Sequence, residues 1–353
     1  MGGGRTQSTG HEALRRWVWA ANLNRPVGKN ATLLFGRNGN LILADTNGRA
    51  VWQTQTANIG VTDINLLSNG NLVLLNKKGN FVWQSFDYPT NTLLNGQGLP
   101  DGSSRLVSGS YSMVVDYYPT LFFKTKRNPP MVYFSFTDFL VRFNKVNFIA
   151  NGKQFDFFYA GTTGFDQYRE DVWDHPGYNT TLSMLRLEKD GNLRVYTYNG
   201  FMKIWESPYS YLSSKSYECN LPEKCGLFGY CENQKCVSCP SSKGLLAASW
   251  NKECKREKTP HCKGTKSKVA YYRLENVSSS IRTANDKDYK KLSVDGCKNK
   301  CNEDCKCVGF FYRTEYGTCM VATTEMYTLT SDNIRWELGY IEPKVNTYIK
   351  YAK

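Results

Sequence analysis

A repeated segment constrains the fold of this chain more than any other feature. The sequence NGNLILADTNGRAVWQT begins at Asn38, and NGNLVLLNKKGNFVWQS begins thirty-one residues later at Asn69. A looser third copy, DGNLRVYTYNGFMKIWES, begins at Asp190. Each copy has the pattern of a turn, an alternating strand, a glycine-containing turn and a second strand that carries a tryptophan. Because such a hairpin cannot bury its apolar face alone, the copies are expected to pack around one another.

The remainder of the first two hundred residues also favours β-structure. Short alternating segments such as SMVVD and MVYFSF are bounded by Gly, Asn and Pro, which is typical of an all-β domain. Aromatic residues are dense in this part, and an exposed sugar-stacking surface is one interpretation of them. A strand core is the favoured interpretation, because aromatic residues are enriched in strands. The residues concerned are Tyr133, Phe134, Phe136, Phe139, Phe143, Phe148, Phe155, Phe157, Phe158 and Tyr159.

The cysteines divide the chain into two parts. All 12 of them lie between Cys219 and Cys319, which places a domain boundary near residue 210. An even count in so short a stretch indicates disulfides that form in an oxidising compartment. Zinc binding is disfavoured and no metal site is predicted, since the spacings give no two clean CxxC pairs and only His261 is near. Three glycosylation sequons also fit secretion, and they begin at Asn30, Asn179 and Asn276.

The last third of the chain has a helix signal among its cysteines. Cys297, Cys301 and Cys305 are spaced at i, i+4 and i+8, which predicts that all three lie on one face of a helix. The segment CVGFFY, which begins at Cys307, then predicts a strand. The cysteines would staple this helix to a sheet.

Charge and targeting signals bear on partners and location. The net charge of +14 favours acidic partners, such as anionic wall polysaccharides or lipid surfaces. Nucleic acid is not an expected partner, because Lys and Arg are scattered and no binding motif occurs. Residues 1–16 lack the apolar core of a signal peptide, and no run of about 18 apolar residues occurs. They are expected to be a disordered or non-native tail, such as a truncated gene model would give.

Catalysis is not indicated by any residue pattern. The three histidines, His11, His175 and His261, lie in no recognisable motif, and no GxSxG, HExxH or phosphate-binding loop occurs. A pair of glycosidase carboxylates has no sequence signature and so stays open. No enzyme activity and no cofactor are predicted.

In these features the chain resembles the extracellular part of plant G-type lectin S-receptor-like kinases and the related EP1-like glycoproteins. The resemblance rests on the WVWAAN opening, the two NGNL…VWQ repeats, VWQSFDYPTNTLL, ECNLPEKCGLFGYC and CKNKCNEDCKC…GTC. It implies a mainly β chain: a bulb-type lectin β-prism at 17–100 that lacks its beginning, a second lectin-like or S-locus-glycoprotein-like domain at 101–208, an EGF-like module at 215–255 and an α+β PAN/apple domain at 260–353. The glycine-rich loop, HRD and DFG of a kinase are absent.

The same resemblance implies a disulfide pattern, although six cysteines alone allow 15 arrangements. For the EGF-like module it implies Cys219–Cys231, Cys225–Cys236 and Cys239–Cys254. For the PAN/apple domain it implies Cys297–Cys319, Cys301–Cys307 and Cys262–Cys305.

Bulb-type lectins bind mannose with the motif QxDxNxVxY, in which amides, a carboxylate and a phenol contact the sugar hydroxyls. The first two copies have lost the Gln, the acid and the Tyr: they have Asn38 and Asn69 in place of the acid and keep the second amide as Asn40 and Asn71. In these copies the asparagines are interpreted mainly as turn residues. The third copy keeps the acid, the amide and the phenol at Asp190, Asn192 and Tyr196, but has Glu188 for Gln and Arg194 for Val. For the third copy, a turn and a working sugar site are both open.

Two functions follow from the residues and the resemblance. The first is an extracellular recognition protein that binds carbohydrate of mannose type, or a protein ligand, for signalling at the cell surface, with a possible homodimer through the PAN/apple domain. The second is a basic structural glycoprotein that acidic wall polysaccharide retains without a working sugar pocket. Both place the chain outside the cell, in the wall or at the outer face of the plasma membrane.

Overall fold

The computed structural model describes 16–23, 25–100, 102, 104–116, 118–125, 130–136, 145–150, 178–214, 216–241, 243–247, 254, 269–281, 289–323, 326–331 and 344–352, together with the backbone of 154–161 and 164–171. The chain is mainly β, as the sequence predicts. His11, His175, His261 and nearly all of the predicted tail lie outside the described residues.

Two three-stranded antiparallel sheets contain the first two copies of the repeat. The strands are β1 (Thr32–Phe35), β2 (Leu41–Ala44), β3 (Ala50–Gln53), β4 (Val61–Leu66), β5 (Leu72–Asn76) and β6 (Phe81–Gln84). Their orders are β1-β2-β3 and β4-β5-β6. In each sheet the Asn-Gly-Asn turn joins the first strand to the second, and the third strand carries the repeated tryptophan. We call these six strands the first unit.

Three tryptophans hold the first unit together. The rings of Trp19, Trp52 and Trp83 meet edge to face, with centroids 5.9, 6.1 and 5.9 Å apart. Trp83 also stacks on Tyr88 at 5.5 Å, and the Trp19 indole N–H donates to the Tyr88 carbonyl at 2.8 Å. Aromatic pairs of this kind contribute about 0.5–1.5 kcal/mol each beyond their buried area. The tryptophan that ends each repeat hairpin is therefore a packing residue.

The second unit consists of three four-stranded sheets around one apolar core. Its strands are β7 (Thr92–Leu94), β8 (Gly98–Pro100), β9 (Arg105–Ser108), β10 (Tyr111–Asp116), β11 (Tyr118–Phe123), β12 (Met131–Ser135), β13 (Lys145–Asn147), β14 (Gln154–Gly161), β15 (Gly164–Asp171), β16 (Tyr178–Leu187), β17 (Leu193–Asn199) and β18 (Ile204–Ser210). The sheet orders are β12-β11-β10-β9, β15-β14-β13-β8 and β18-β17-β16-β7. The third repeat copy forms β17 and β18. Strands β7 and β8 precede residue 101 but pair with strands that follow it.

Four of the dense aromatics lie in the core of the second unit. Tyr133, Phe134, Phe136 and Phe148 are each at most 5% exposed. They pack with apolar side chains from all three sheets, which supports the core interpretation for these four. The side chains of Phe139, Phe143, Phe155, Phe157, Phe158 and Tyr159 lie outside the described residues.

The cysteine-rich region has two five-stranded sheets and little helix. Its elements are α1 (Tyr211–Ser214), β19 (Tyr230–Glu232), β20 (Lys235–Ser241), β21 (Gly244–Ala247), β22 (Val269–Leu274), β23 (Val277–Ser279), β24 (Lys290–Lys291), α2 (Val294–Glu303), β25 (Gly309–Arg313), β26 (Thr318–Ala322), β27 (Leu329–Ser331) and β28 (Val345–Ala352). Short 3-10 turns occur at Ser85–Asp87 and Glu218–Asn220. The sheet β21-β20-β19-β27-β23 joins the predicted EGF-like segment to the predicted PAN/apple segment, and α2 packs on β22-β28-β25-β26-β24.

The sulfur atoms lie at bonding distance for five cysteine pairs: Cys219–Cys231, Cys225–Cys236, Cys239–Cys254, Cys297–Cys319 and Cys301–Cys307. These are five of the six pairs that the resemblance implies. Cys305 is disulfide-bonded, and its expected partner, Cys262, lies outside the described residues.

The helix prediction is wrong at its last cysteine. Helix α2 begins after Ser293, whose hydroxyl accepts the Gly296 N–H at 3.1 Å, and it ends at Glu303. Cys305 therefore lies beyond the helix and not on its cysteine face. Asp304 is extended, and its carbonyl accepts the Cys307 N–H at 2.9 Å, so the chain reverses here. This reversal brings Cys307 back to Cys301 across a separation of 6 residues, which a continuing helix could not do.

Candidate carbohydrate site

The asparagine that ends the turn in the first copy is a buried fold residue. Asn40 is 5% exposed, and its side-chain amide donates to Gln53 Oε1 at 3.0 Å. Its carbonyl oxygen accepts the Thr54 hydroxyl and the Thr56 N–H, both at 3.1 Å. Asn38 Oδ1 accepts the Asn40 N–H at 3.2 Å. The polar atoms of Asn40 are thus bonded within the chain.

The second copy repeats this arrangement. Asn71 is 3% exposed and donates to Gln84 Oε1 at 2.8 Å. Its carbonyl oxygen accepts the Ser85 hydroxyl at 3.1 Å and the Phe86 N–H at 3.3 Å, and Asn69 accepts the Asn71 N–H at 3.2 Å. The bonds join the start of one hairpin strand to the end of the other. The turn interpretation of both copies agrees with this geometry.

The third copy uses its asparagine in the same way but with other partners. Asn192 is 1% exposed, donates to Ser213 Oγ at 3.2 Å and accepts the Leu212 N–H at 3.0 Å. The preceding residue, Gly191, has φ +87°, and a Cβ there would stand 2.6 Å from the Tyr111 ring. Only glycine fits this left-handed and crowded position. Asn192 therefore anchors the turn to α1 and does not face solvent.

The carboxylate of the third copy is paired with the residue that departs from the motif. Arg194 donates to both oxygens of Asp190, at 3.0 and 2.5 Å. The Asp190 side chain is 49% exposed and that of Arg194 is 26% exposed. Burial alone would raise the pKa of the Asp190 carboxyl, but the hydrogen bonds from Arg194 and from the Asn192 N–H hold that pKa below its ordinary value. The carboxylate is therefore ionised, and both of its oxygens are already bonded to Arg194.

The phenol of the third copy is also hydrogen-bonded within the chain. Tyr196 donates its hydroxyl to Glu188 Oε1 at 2.8 Å, and Glu188 stands at the Gln position of the motif. Burial, together with the bond to Glu188, raises the pKa of Tyr196. The guanidinium groups of Arg16 and Arg186 lie 5.9 and 5.6 Å from the centre of its ring. A mannose would have to displace these groups to reach the phenol.

The side chains that hydrogen-bond to the asparagines were not predicted, although those in the first two copies recur at matching positions of the repeat. Gln53 follows Asn40 by 13 residues, and Gln84 follows Asn71 by the same interval. Thr54 and Ser85, which occupy the next position, supply matching hydroxyls. The identical glutamine in both copies indicates that each copy forms the same asparagine–glutamine hydrogen bond. Ser213 has no counterpart in the repeat, so sequence reasoning could not find it.

The three sequon asparagines lie on the surface. Asn30, Asn179 and Asn276 are all exposed, which a glycosyltransferase requires. The side-chain oxygen of Asn179 accepts the Thr181 N–H at 3.0 Å. Glycosylation at these positions stays a prediction.

Two other findings concern the described residues alone. They contain no group of three or more His, Cys, Asp or Glu side chains arranged to hold a metal ion. No helix among them is long and apolar enough to cross a membrane.

Comparison of the sequence with known proteins identifies its family. A family model described as D-mannose binding lectin matches residues 16–106. EP1-like glycoprotein 2 of Arabidopsis thaliana is 40% identical in an alignment that covers 94% of this chain and 81% of that protein. The chain belongs to the EP1-like glycoproteins. The Epidermis-specific secreted glycoprotein EP1 of Daucus carota is 44% identical over 71% of this chain and 74% of its own length.

The kinases are more distant relatives of this EP1-like chain. The G-type lectin S-receptor-like serine/threonine-protein kinase SD2-5 of Arabidopsis thaliana is 28% identical over 90% of the chain, but the match covers only 39% of that kinase. The resemblance drawn from the motifs is thus confirmed, with the glycoproteins as much stronger matches than the kinase. The family is a lectin-like one, whereas the motif side chains in this chain are bonded internally.

Proposed function

We propose that this chain is an extracellular, non-enzymatic lectin-like glycoprotein that binds acidic wall polysaccharide and not mannose. The observation that carries the proposal is the third copy, in which Asp190 is bonded to Arg194 and Tyr196 to Glu188. Since Asn40, Asn71 and Asn192 are buried in turns, no copy presents a free set of mannose ligands.

Charge and covalent chemistry support the rest of the proposal. The net charge of +14 attracts a polyanion, and such attraction is weakened by salt within a screening length of about 8 Å at physiological ionic strength. The five disulfides suit an oxidising compartment. The carrot relative is named as a secreted glycoprotein, in line with a location outside the cell.

The alternative is a working mannose site at the third copy. It is favoured by the exposure of Asp190, half of whose side chain faces solvent. Exposed ion pairs contribute only about 0–1 kcal/mol, so a sugar could displace Arg194 at low cost. Asn192 weighs against this alternative, because its amide is buried. Protein ligands, signalling and a homodimer through the PAN/apple domain stay predictions.

Retention on immobilised polysaccharides tests the proposal. Oxidised, secreted protein is passed over mannan and over de-esterified pectin from 20 to 500 mM NaCl, beside an Asp190→Ala variant that keeps the buried turn residue Asn192. We expect retention by pectin alone, elution by salt and no effect of methyl α-mannoside. Retention by mannan that the free sugar elutes and the variant loses would establish the alternative.

A further inference from the structure

A cleft lies where the first and second units meet. It has a volume of about 840 Å³, within the range of small-ligand sites. Its walls come from the segment that begins at Trp17, from the end of β3, from the loop after β6 and from β9 and β16. Asp190, Asn192 and Tyr196 do not line it. It therefore adjoins the mannose motif without including these three side chains, since Arg186 in its wall lies 5.6 Å from the centre of the Tyr196 ring.

One side of the cleft is aromatic. Trp17 and Tyr88 are 66% and 55% exposed, and Trp19, Trp52 and Trp83 lie beside them. Large exposed rings on a concave surface are uncommon in places without a binding role. Flat aromatic faces pack well against the C–H faces of sugar rings.

The other side of the cleft is cationic. Arg105 and Lys189 are exposed there, and neither has an ion-pair partner among the described residues. Arg186 is fixed in the same wall by its Nε bond to Thr92 Oγ1 at 3.1 Å and by a bond to the Trp17 carbonyl. Among the described residues that line the cleft, the charged side chains are all cationic, which favours an anionic ligand.

Amides supply the remaining chemistry. Gln53 and Gln55 are exposed at the end of β3, and both line the cleft. Gln55 has φ +59°, a left-handed conformation that is uncommon outside glycine. Carboxamides can donate to and accept from sugar hydroxyls.

We propose that this cleft binds a short uronate oligosaccharide, that is, an acidic sugar chain with a carboxylate on each ring. The rings would lie against Trp17 and Tyr88, and the carboxylates would pair with Arg105 and Lys189. This site deepens the proposed function, because it gives the acidic polysaccharide a specific position. Retention of the polymer by overall charge can occur without the cleft, so the two claims fail separately.

Matched charge changes test the cleft on the full oxidised chain. The probe is a linear trimer of galacturonate, and the comparison sugars are its methyl ester, which has no charge, and mannotriose. The cleft variant is Arg105→Gln/Lys189→Gln. The control is Lys290→Gln/Lys291→Gln, which removes the same charge from exposed positions on β24 outside the cleft.

Calorimetric titration should give saturable binding of the acidic trimer and none of mannotriose. The cleft variant should bind at least about tenfold more weakly, since each charge-assisted hydrogen bond is worth about tenfold or more. The control should change affinity less than about twofold. Trp17→Ala, which opens no cavity because the ring is exposed, should weaken binding about two- to tenfold through lost stacking.

Two outcomes would overturn the cleft proposal. One is equal weakening in the cleft and control variants, which would mean attraction by net charge alone. The other is binding of tripolyphosphate as tight as that of the trimer and indifferent to Trp17→Ala, which would exclude sugar stacking. If either occurs while pectin still retains the chain in a salt-dependent way, the proposed function stands and only the cleft fails.

Discussion

Replacing Asn71 with alanine should destabilise the first unit and leave sugar binding unchanged. In a mannose lectin the equivalent amide contacts the ligand, so its loss would impair binding. Here the Asn71 amide bridges the two strands of its hairpin. The mutation therefore distinguishes between a structural role and a ligand-binding role for Asn71.

The structure gives the size of the effect. The substitution leaves the buried Ser85 hydroxyl and the Phe86 N–H without their acceptor, and it removes the bond to Gln84. An unsatisfied buried polar group costs about 1–3 kcal/mol, while Gln84 is partly exposed and can bind water. The expected loss is about 2–4 kcal/mol. Asn69→Ala removes one partly buried hydrogen bond and should cost about 0.5–1.5 kcal/mol, which makes it the matched control.

Hydrogen exchange locates this loss within a chain of several modules. A destabilisation of about 2–4 kcal/mol should accelerate exchange of the β5 and β6 amides by about 30- to 700-fold. Amides of the cysteine-rich region should exchange at unchanged rates. Equal exchange in the Asn71 and Asn69 variants, or unchanged exchange with loss of sugar binding, would refute the view of Asn71 as a fold residue.

Three further predictions follow from other contacts. Arg194→Gln should raise the pKa of Asp190, which is below its ordinary value in the folded chain. The stabilisation from this carboxylate is present above about pH 4 and is lost as pH falls through the folded pKa. The urea midpoint should therefore depend less on pH between 2 and 5 in the variant. Tyr111→Phe removes a 2.8 Å bond to Glu223 that links the second unit to the cysteine-rich region, with an expected cost of about 1.5–3 kcal/mol. Because burial and Glu223 raise the pKa of Tyr111, stability should fall more steeply above pH 10 in the parent chain than in this variant, and an unchanged alkaline profile would count against the bond. Replacing Cys297 and Cys319 with serine should cost about 2–5 kcal/mol, and a melting temperature equal to that of the parent would contradict a structural disulfide.

The repeat predicted the hairpins because its signals are local. Turn residues, alternation and the final tryptophan all act within one hairpin, and β2 and β3 appear where the first copy places them. The cysteine spacing likewise indicated the disulfide-rich region. The pairing of β7 and β8 with later strands was not predicted, because no local sequence pattern indicates which sheet a short strand joins.

The candidate site was less predictable, because its state depends on which side chains meet. The sequence showed that Arg194 replaces the valine of the motif, but not that it bonds to Asp190. That contact needs the turn at Gly191, which brings two residues four apart onto one exposed face. The helix end at Glu303 was missed for a similar reason, since the chain reversal that closes Cys301–Cys307 is a tertiary constraint.

The central claim is that the motif side chains are already bonded within the chain. Titration of the protein with methyl α-mannoside to 50 mM, followed by NMR of the side-chain amides and the Asp190 carboxyl, tests it most directly. We expect no saturable shift at Asn192 or Asp190, and an Asp190 carboxyl that titrates below its ordinary pKa throughout. A saturable shift at these groups, lost in Asp190→Ala, would show that mannose displaces Arg194 and would contradict the claim.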